Sequence, residues 1–88
     1  MEHQKENVMG MELEIWRHKS CEAQIGEGPG WATVYLIFSR DKRKGHAQEL
    51  LIEAKKYYEG LGLRFGGSVA LNPAMRYIYQ KLNIFEYC

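Results

Sequence analysis

The sequence is poor in cysteine, in net charge and in long apolar runs, and each shortage argues against a class of protein. Its two cysteines, Cys21 and Cys88, are too few for the disulfide scaffold of a small secreted domain, which favours a reduced, cytoplasmic protein. No apolar run approaches the ~18 residues of a membrane span, and the first ten residues lack a signal-peptide core. With 12 basic and 11 acidic residues, the chain also lacks the basic surface typical of nucleic-acid-binding proteins. We therefore expect neither a membrane nor a nucleic acid among its partners.

The residues that are present suffice for one small domain. Hydrophobic residues make up 45% of the 88 positions, and 12% are aromatic, which is typical of a globular chain. A domain of this length buries only about 60–65% of the surface that its unfolded chain exposes. Residues 1–9 are polar and follow no period, so we expect a flexible N-terminal tail ahead of a single domain at residues 10–88.

Apolar patterns in the first half of the chain predict an antiparallel β-meander. Apolar and polar side chains alternate over Met11–Trp16 and again over Cys21–Ile25, which is the two-residue period of a half-buried strand. A glycine-rich turn at Gly26–Gly30 separates these strands from a third at Trp31–Ser39. Every position in Val34–Phe38 is apolar, so we expect this third strand to be central and covered on both faces.

The third strand and the second half of the chain together predict the element order βαβα. Apolar residues recur at helical spacing over Ala47–Leu61, as in a helix packed on a sheet, and Gly60 ends this pattern. A further β-like run follows at Arg64–Leu71, and Asn72-Pro73 supplies an N-cap and a first turn for a second helix. Asn83 is expected to end that helix in the left-handed conformation. The fold class is therefore α+β, with a mixed sheet built from a meander followed by βαβα.

The junction between the third strand and the first helix is basic and contains a glycine. It reads Lys42-Arg43-Lys44-Gly45-His46-Ala47. A helix that starts directly after a strand presents unpaired backbone N–H groups at the positive end of its dipole, which is where phosphate groups bind. The junction therefore predicts a site for a phosphorylated cofactor. The alternative interpretation is a solvated basic turn without a ligand, with His46 exposed.

Two motifs in this order resemble the signatures of the Gcn5-related N-acetyltransferase (GNAT) superfamily. The hexapeptide is similar to the family's Gln/Arg-x-x-Gly-x-Gly/Ala, with Lys42 in place of glutamine or arginine. Further on, Asn72 and the later run Tyr79-Gln80-Lys81-Leu82-Asn83-Ile84 resemble the family's second signature, with Asn83 and Ile84 in place of its Gly and Phe. The resemblance covers residues 11–88. A typical member also has helices before the meander and a hairpin after the last helix, and we expect both to be missing from this GNAT-like sheet.

The resemblance implies acetyl-CoA as a substrate and no metal. In the family, the pyrophosphate contacts the backbone of the hexapeptide and the pantetheine arm lies along the central strand. The residues expected to bind the cofactor are Leu36, Ile37, Phe38, Lys42, Arg43, Lys44, Gly45, His46, Ala47 and Asn72. Tyr79 aligns with the tyrosine that protonates the leaving thiolate in many members, and it equally fits a structural core position. The general base stays open among Glu12, Glu14, Glu22, Glu27 and ordered water.

The activity implied is an N-acetyltransferase whose acceptor is a protein lysine or N-terminus, because an open acceptor side suits a bulky partner. The alternative is a catalytically inactive GNAT-like module that grips a partner protein through its sheet edge and exposed aromatic residues. The candidates for that surface are Trp16, Trp31, Phe85 and Tyr87. The open edges of such a short sheet also favour a homodimer.

Overall fold

The computed structural model describes residues 1–40, 45–67 and 73–86, which form one mixed β-sheet with two helices. The elements are β1 (Glu2–Val8), β2 (Met11–His18), β3 (Cys21–Gly28), β4 (Trp31–Ser39), α1 (His46–Gly60), β5 (Arg64–Gly67), α2 (Pro73–Lys81) and β6 (Phe85–Glu86). The six strands lie side by side in chain order, antiparallel from β1 to β4 and parallel from β4 to β6. The predicted α+β class, with a meander followed by βαβα, is confirmed.

The N-terminal segment is a strand, so the prediction of a flexible tail at residues 1–9 is wrong. β1 pairs with β2 in continuous antiparallel register from Glu2, which lies opposite Arg17. Met9 and Gly10 join the two strands with φ values of 52° and 83°, as in the type I′ turn of tight hairpins. An edge strand is held by backbone hydrogen bonds and tolerates polar side chains on both faces. β1 therefore lacks the apolar alternation that would have predicted it.

The meander forms where the alternation predicted it, but its second turn lies further along the chain. β3 continues to Gly28, and the chain reverses at Pro29 and Gly30, whose φ of 79° fits a type II turn. Gly26 lies inside β3 for another reason. A Cβ at Gly26 would stand 2.2 Å from Cε2 of Tyr35, so this glycine makes room for an aromatic ring rather than for a turn.

The helix α1 confirms the amphipathic pattern. Its buried side chains are Leu50, Leu51, Ala54 and Tyr58. The helix also ends as its glycines predicted, because Gly62 adopts φ 84° and donates its N–H to the carbonyl of Glu59 at 3.0 Å.

The helix α2 begins at Pro73, as predicted, and Asn83 follows it with a left-handed φ of 57°. Tyr79 and Ile84 are both buried, and the N–H of Ile84 donates to the carbonyl of Tyr79 at 2.8 Å. The predicted N-cap, Asn72, lies outside the described residues. Neither of the two described helices is long and apolar enough to cross a membrane.

Both helices pack on one side of the sheet, which we call the helix face. Tyr58 of α1 stacks on Phe65 of β5 with 5.8 Å between ring centroids, and Tyr79 of α2 lies against Gly67. Phe65 and Gly67 are two residues apart in one strand, so they share a face. The core on this face comprises Trp16, Cys21, Ala23, Ile25, Ala32, Val34, Leu50, Leu51, Ala54, Tyr58, Phe65, Tyr79 and Ile84.

The other side of the sheet, which we call the open face, carries no helix within the described residues. Tyr35, Leu36 and Phe38 of β4 are 51%, 47% and 45% exposed. β4 does lie inside the sheet, between β3 and β5, but the prediction that Val34–Phe38 is covered on both faces is wrong. Parallel crossovers are right-handed in nearly all proteins, and two that run in the same direction across a sheet place both helices on one face. The open face therefore has no helix within the described residues, although Leu13 and Ile15 of β2 are buried on it.

Candidate functional site

The candidate site lies where β4 extends past its last described pair with β5. The described pairs run from Trp31 opposite Arg64 to Val34 opposite Gly67, and β4 then continues to Ser39. Within the described residues, no strand pairs with the stretch Leu36–Phe38 on the β5 side. Main-chain groups on the open side of a strand can bind an extended ligand as an added strand.

The pairing of β4 with β3 shifts register at the start of this stretch. Consecutive residues of β3 lie opposite Leu36 and Val34, so Tyr35 is the extra residue of a β-bulge. A bulge bends its strand and increases the local twist. Beyond it, Leu36 and Phe38 lie on the open face, whereas Ile37 packs against the core. The three residues predicted to line the cofactor arm thus lie on the bent part of β4.

The helix α1 begins at a glycine, as the predicted phosphate site requires. Gly45 is the N-cap residue with φ 75°, and no side chain caps the helix. The first helical bond runs from the N–H of Glu49 to the carbonyl of Gly45 at 3.0 Å. Since Gly45 has no side chain, it leaves the N–H groups of the first turn, including those of His46 and Ala47, to be satisfied by water or a ligand. These groups lie at the positive end of the helix dipole, where an anion is favoured.

Two histidines lie beside this helix start, and the sequence analysis did not single out His18. His46 Nδ1 lies 3.3 Å from Ser20 Oγ, and the rings of His18 and His46 are 5.9 Å apart. His18 Nε2 lies 3.5 Å from a carboxylate oxygen of Glu49. His46 is half-buried, so its expected full exposure is wrong. The packing of α1 against β2 brings the two imidazoles together, and no local motif signals that contact.

Several predicted cofactor residues cannot be placed. Lys42, Arg43, Lys44 and Asn72 lie outside the described residues, and their roles stay predictions. The described members of the set fall into two groups at the same end of β4. Leu36, Ile37 and Phe38 lie along the strand, and Gly45, His46 and Ala47 lie at the start of the helix that follows it.

Tyr79 reaches the end of the β4–β5 pairing from the helix face. Its ring is buried, and a Cβ at Gly67 would stand 2.5 Å from its hydroxyl oxygen. Gly67 lies opposite Val34, the residue before the bulge. The hydroxyl is therefore close to the point where the stretch Leu36–Phe38 begins. The same ring is part of the hydrophobic core, so it also has a structural role.

Similarity to known proteins assigns no family. The chain matches no protein-family model, no curated protein and no solved structure. Any function therefore has to be argued from the arrangement of the residues at β4 and α1.

The four carboxylates considered as a general base do not converge on this arrangement. Glu12 is exposed near the start of β2, and Glu14 and Glu27 interact with each other on the helix face. Of the four, Glu22 alone lies opposite the stretch Leu36–Phe38, but its carboxylate accepts a hydrogen bond from Arg17 Nε at 2.8 Å. Of the candidates for the general base, ordered water is therefore more compatible with the positions of these side chains than any of the four carboxylates.

Cys21 lies opposite the end of β4 and is chemically protected there. Its side chain is buried against the core, and burial raises the pKa of its thiol to about 11. Because the thiolate is the nucleophilic form, this cysteine is unsuited to covalent catalysis. Among the described residues, no group of three or more His, Cys, Asp and Glu side chains is arranged to hold a metal ion.

Proposed function

We propose that the protein binds acetyl-CoA and transfers the acetyl group to an amine of a protein, either a lysine side chain or an N-terminus. The observation that carries the proposal is the position of the uncapped helix start at Gly45 relative to the stretch Leu36–Phe38. The first suits a diphosphate, and the second suits an extended chain of amides that adds to a strand edge. Acetyl-CoA carries both groups, joined end to end.

The dimensions of β4 agree with a long ligand. Val34 and Ser39 are five residue steps apart, and at about 3.3 Å per step they span roughly 16 Å. In the proposed complex, the diphosphate lies at α1 and the thioester lies near the bulge at Tyr35. The hydroxyl of Tyr79 then lies on the thioester side, beside Gly67.

The chemistry requires three groups around the thioester. The acceptor nitrogen attacks the carbonyl carbon, a C–N bond forms, and the C–S bond breaks. A main-chain N–H at the bulge of β4 stabilises the oxyanion, and Tyr79 donates its proton to the departing thiolate. The proton of the amine passes to water, and Tyr79 regains a proton from the solvent. The acceptor approaches from the open face, where a bulky protein substrate meets no helix within the described residues.

The first experiment is calorimetric titration with acetyl-CoA, followed by mass spectrometry of peptides incubated with both. Tyr79→Phe keeps the ring that packs on Gly67 but removes the hydroxyl. We expect it to lower the acetylation rate by about 10²-fold or more while acetyl-CoA affinity stays unchanged. Tyr77→Phe, on the exposed side of the same helix, is the matched control and should have no effect. Failure of wild-type protein to bind millimolar acetyl-CoA would remove the proposal.

A second candidate is a binding module without catalysis, and the exposed side chains of β4 favour it. Beside Leu36 and Phe38 on the open face, three carboxylates surround Arg17: those of Glu2, Glu6 and Glu22, at 3.9, 3.8 and 2.8 Å. Apolar side chains next to an excess of acidic groups suit an amphipathic helix with basic flanks.

A pair of synthetic helical peptides tests this candidate. Both carry leucine on one face, and the other face carries lysine in one peptide and glutamate in its control. The module predicts that only the lysine peptide binds, that Glu6→Lys weakens it, and that Tyr79→Phe leaves it unchanged. Equal binding of both peptides would contradict the proposed charge match.

A further inference from the structure

A second cluster of polar and aromatic groups lies on the helix face between β1, β2 and α1, away from β5. The imidazole of His3 stacks on the indole of Trp16, with 4.1 Å between centroids and 17° between planes. Tyr57 meets the same imidazole edge-on at 4.8 Å and Tyr58 does so at 6.3 Å. We call the four surrounding side chains, Glu14, Trp16, Tyr57 and Tyr58, the cation box.

The floor of the cation box is a buried carboxylate. Glu14 is 4% exposed, and its Oε1 accepts a hydrogen bond from His3 Nε2 at 2.6 Å. Its Oε2 is also buried and has no hydrogen-bond partner among the described residues. Such a short N–H···O contact is typical of a charge-assisted hydrogen bond. The imidazole thus fills the box as a cation would.

The walls of the box are held in place before any ligand arrives. Trp16 Nε1 donates to the Tyr58 hydroxyl at 3.0 Å, which fixes both rings. Tyr58 is also stacked on Phe65 in the core. Aromatic faces attract cations through their quadrupole, and a carboxylate in the same pocket adds charge and hydrogen bonding. Rigid aromatic walls around a buried carboxylate are therefore suited to an organic cation.

We propose that the cation box is a binding site for a guanidinium or primary ammonium group, and that His3 occupies it in the folded chain as an internal ligand. The site does not depend on the acetyltransferase proposal. An arginine or lysine side chain of a partner protein competes with His3 for it. The partner gains from the second oxygen of Glu14, because a guanidinium or an ammonium group has donors for both oxygens while the imidazole reaches one.

Access to the box requires only a small movement. His3 is the second residue of β1, an edge strand of the described sheet, and the ends of edge strands open at low free-energy cost. Release of Glu2 and His3 from β2 would open the box while β1 stays paired with β2 from Gln4 onward. The occupied box therefore also acts as a latch for the start of β1.

The decisive experiment opens the box by His3→Gly and adds a small cation. Methylguanidinium and methylurea have nearly the same shape, but only the first is charged. At equal millimolar concentrations, we expect methylguanidinium to raise the Tm of the variant by about 5 °C or more when it saturates the site, and methylurea to have little effect. Adding Glu14→Gln should abolish the difference between the probes, whereas adding Glu12→Gln, an exposed carboxylate on the same strand, should not. Equal stabilisation by both probes would overturn the proposal.

A series at position 3 tests the same site if the glycine variant does not fold. His3→Arg and His3→Lys place a permanent cation in the box, whereas His3→Gln places a neutral donor there. The proposal expects the two cationic variants to keep a Tm close to that of the wild type and the glutamine variant to lose several degrees. A glutamine variant as stable as the arginine variant would show that the box selects shape and not charge.

Discussion

The helix face and the open face belong to one sheet and both carry large apolar side chains, but within the described part of the chain only the helix face is covered by helices. On the open face, Leu13 and Ile15 of β2 are buried, whereas the side chains of β4 are not. Leu50, Leu51 and Tyr58 are fully buried on the first, whereas Leu36 and Phe38 stay about half exposed on the second. Apolar burial stabilises a fold by about 25 cal/mol per Å² removed from water. The helix face therefore holds the domain together, and the open face is available for a ligand or a partner.

The largest expected effect is a difference in the free energy of unfolding between one substitution on the helix face and one on the open face. Leu51→Ala on the helix face should lower the free energy of unfolding by about 3–4 kcal/mol, because it leaves a cavity in a packed core. Leu36→Ala on the open face should cost less than about 1 kcal/mol, because half of that side chain already contacts water. Urea denaturation of both variants measures the difference. Similar losses for the two leucines would mean that the open face is covered in solution.

A second pair of substitutions compares the glycines beneath the two tyrosines. A Cβ at Gly67 would meet the buried ring of Tyr79, and one at Gly26 would meet the ring of Tyr35, which is half exposed. The ring of Tyr35 can swing into solvent, whereas Tyr79 is confined by the core. Gly67→Ala should therefore destabilise by about 2–3 kcal/mol and Gly26→Ala by about 1 kcal/mol or less. Thermal unfolding checks the order, and the reverse order would contradict the assignment of the two faces.

Most of the covered face could be predicted because its residues repeat with the period of their own element. The alternation of Cys21, Ala23 and Ile25 in β3 and the helical spacing of Leu50, Leu51 and Ala54 both report which side chains are buried. β1 has no such period, since its side chains are polar and backbone pairing alone places it. The apolar run in β4 was misleading, because a run of this kind does not say whether the second face is covered by the same chain.

The candidate site likewise has one part that the sequence predicts and another that it does not. Gly45 could be predicted from the local motif, because its role depends on a positive φ at a helix start. The contacts of His18 with His46, and of His3 with Glu14, join residues that are far apart in the chain. The first follows from how α1 packs on β2 and the second from the register of β1 against β2, and the sequence reveals neither without pairing information. Tertiary polar contacts were therefore the part that sequence reasoning missed.

The next prediction concerns Glu14, the buried carboxylate of the helix face. Burial by itself raises the pKa of this group, but Glu27, His3 and Tyr58 together hold its pKa below the ordinary value of 4.5. A carboxylate whose pKa is lowered on folding contributes stability above its unfolded pKa, and this contribution is lost as the pH falls through the folded value. Glu14→Gln should therefore destabilise by about 1–2 kcal/mol near neutral pH, where a charged hydrogen bond is lost, and by much less in acid.

Urea denaturation of the wild type and of Glu14→Gln from neutral to acid pH measures that dependence. Glu27 opposes this dependence, because the neighbouring carboxylate of Glu14 raises the pKa of Glu27. The stability due to Glu27 is present at low pH and is lost as the pH rises through its raised pKa. Glu27 is exposed, so we expect its effect to be the smaller of the two. A difference between wild type and Glu14→Gln that grows in acid would refute this assignment.

The smallest expected effect belongs to the charges of the open face. Arg17 contacts three carboxylates, of which Glu22 is nearest at 2.8 Å, and this bond raises the pKa of the guanidinium. All of these groups contact water, so the gain from pairing is offset by side-chain entropy and by screening. Arg17→Ala should lower Tm by no more than about 2 °C, and molar salt should remove that difference. Glu14→Gln should keep its effect in the same salt, because the bond to His3 is shielded from ions. If salt reduced the effect of both substitutions equally, Glu14 would be as accessible to dissolved ions as the charges of the open face. The cation box would then not contain the desolvated carboxylate on which the proposal depends.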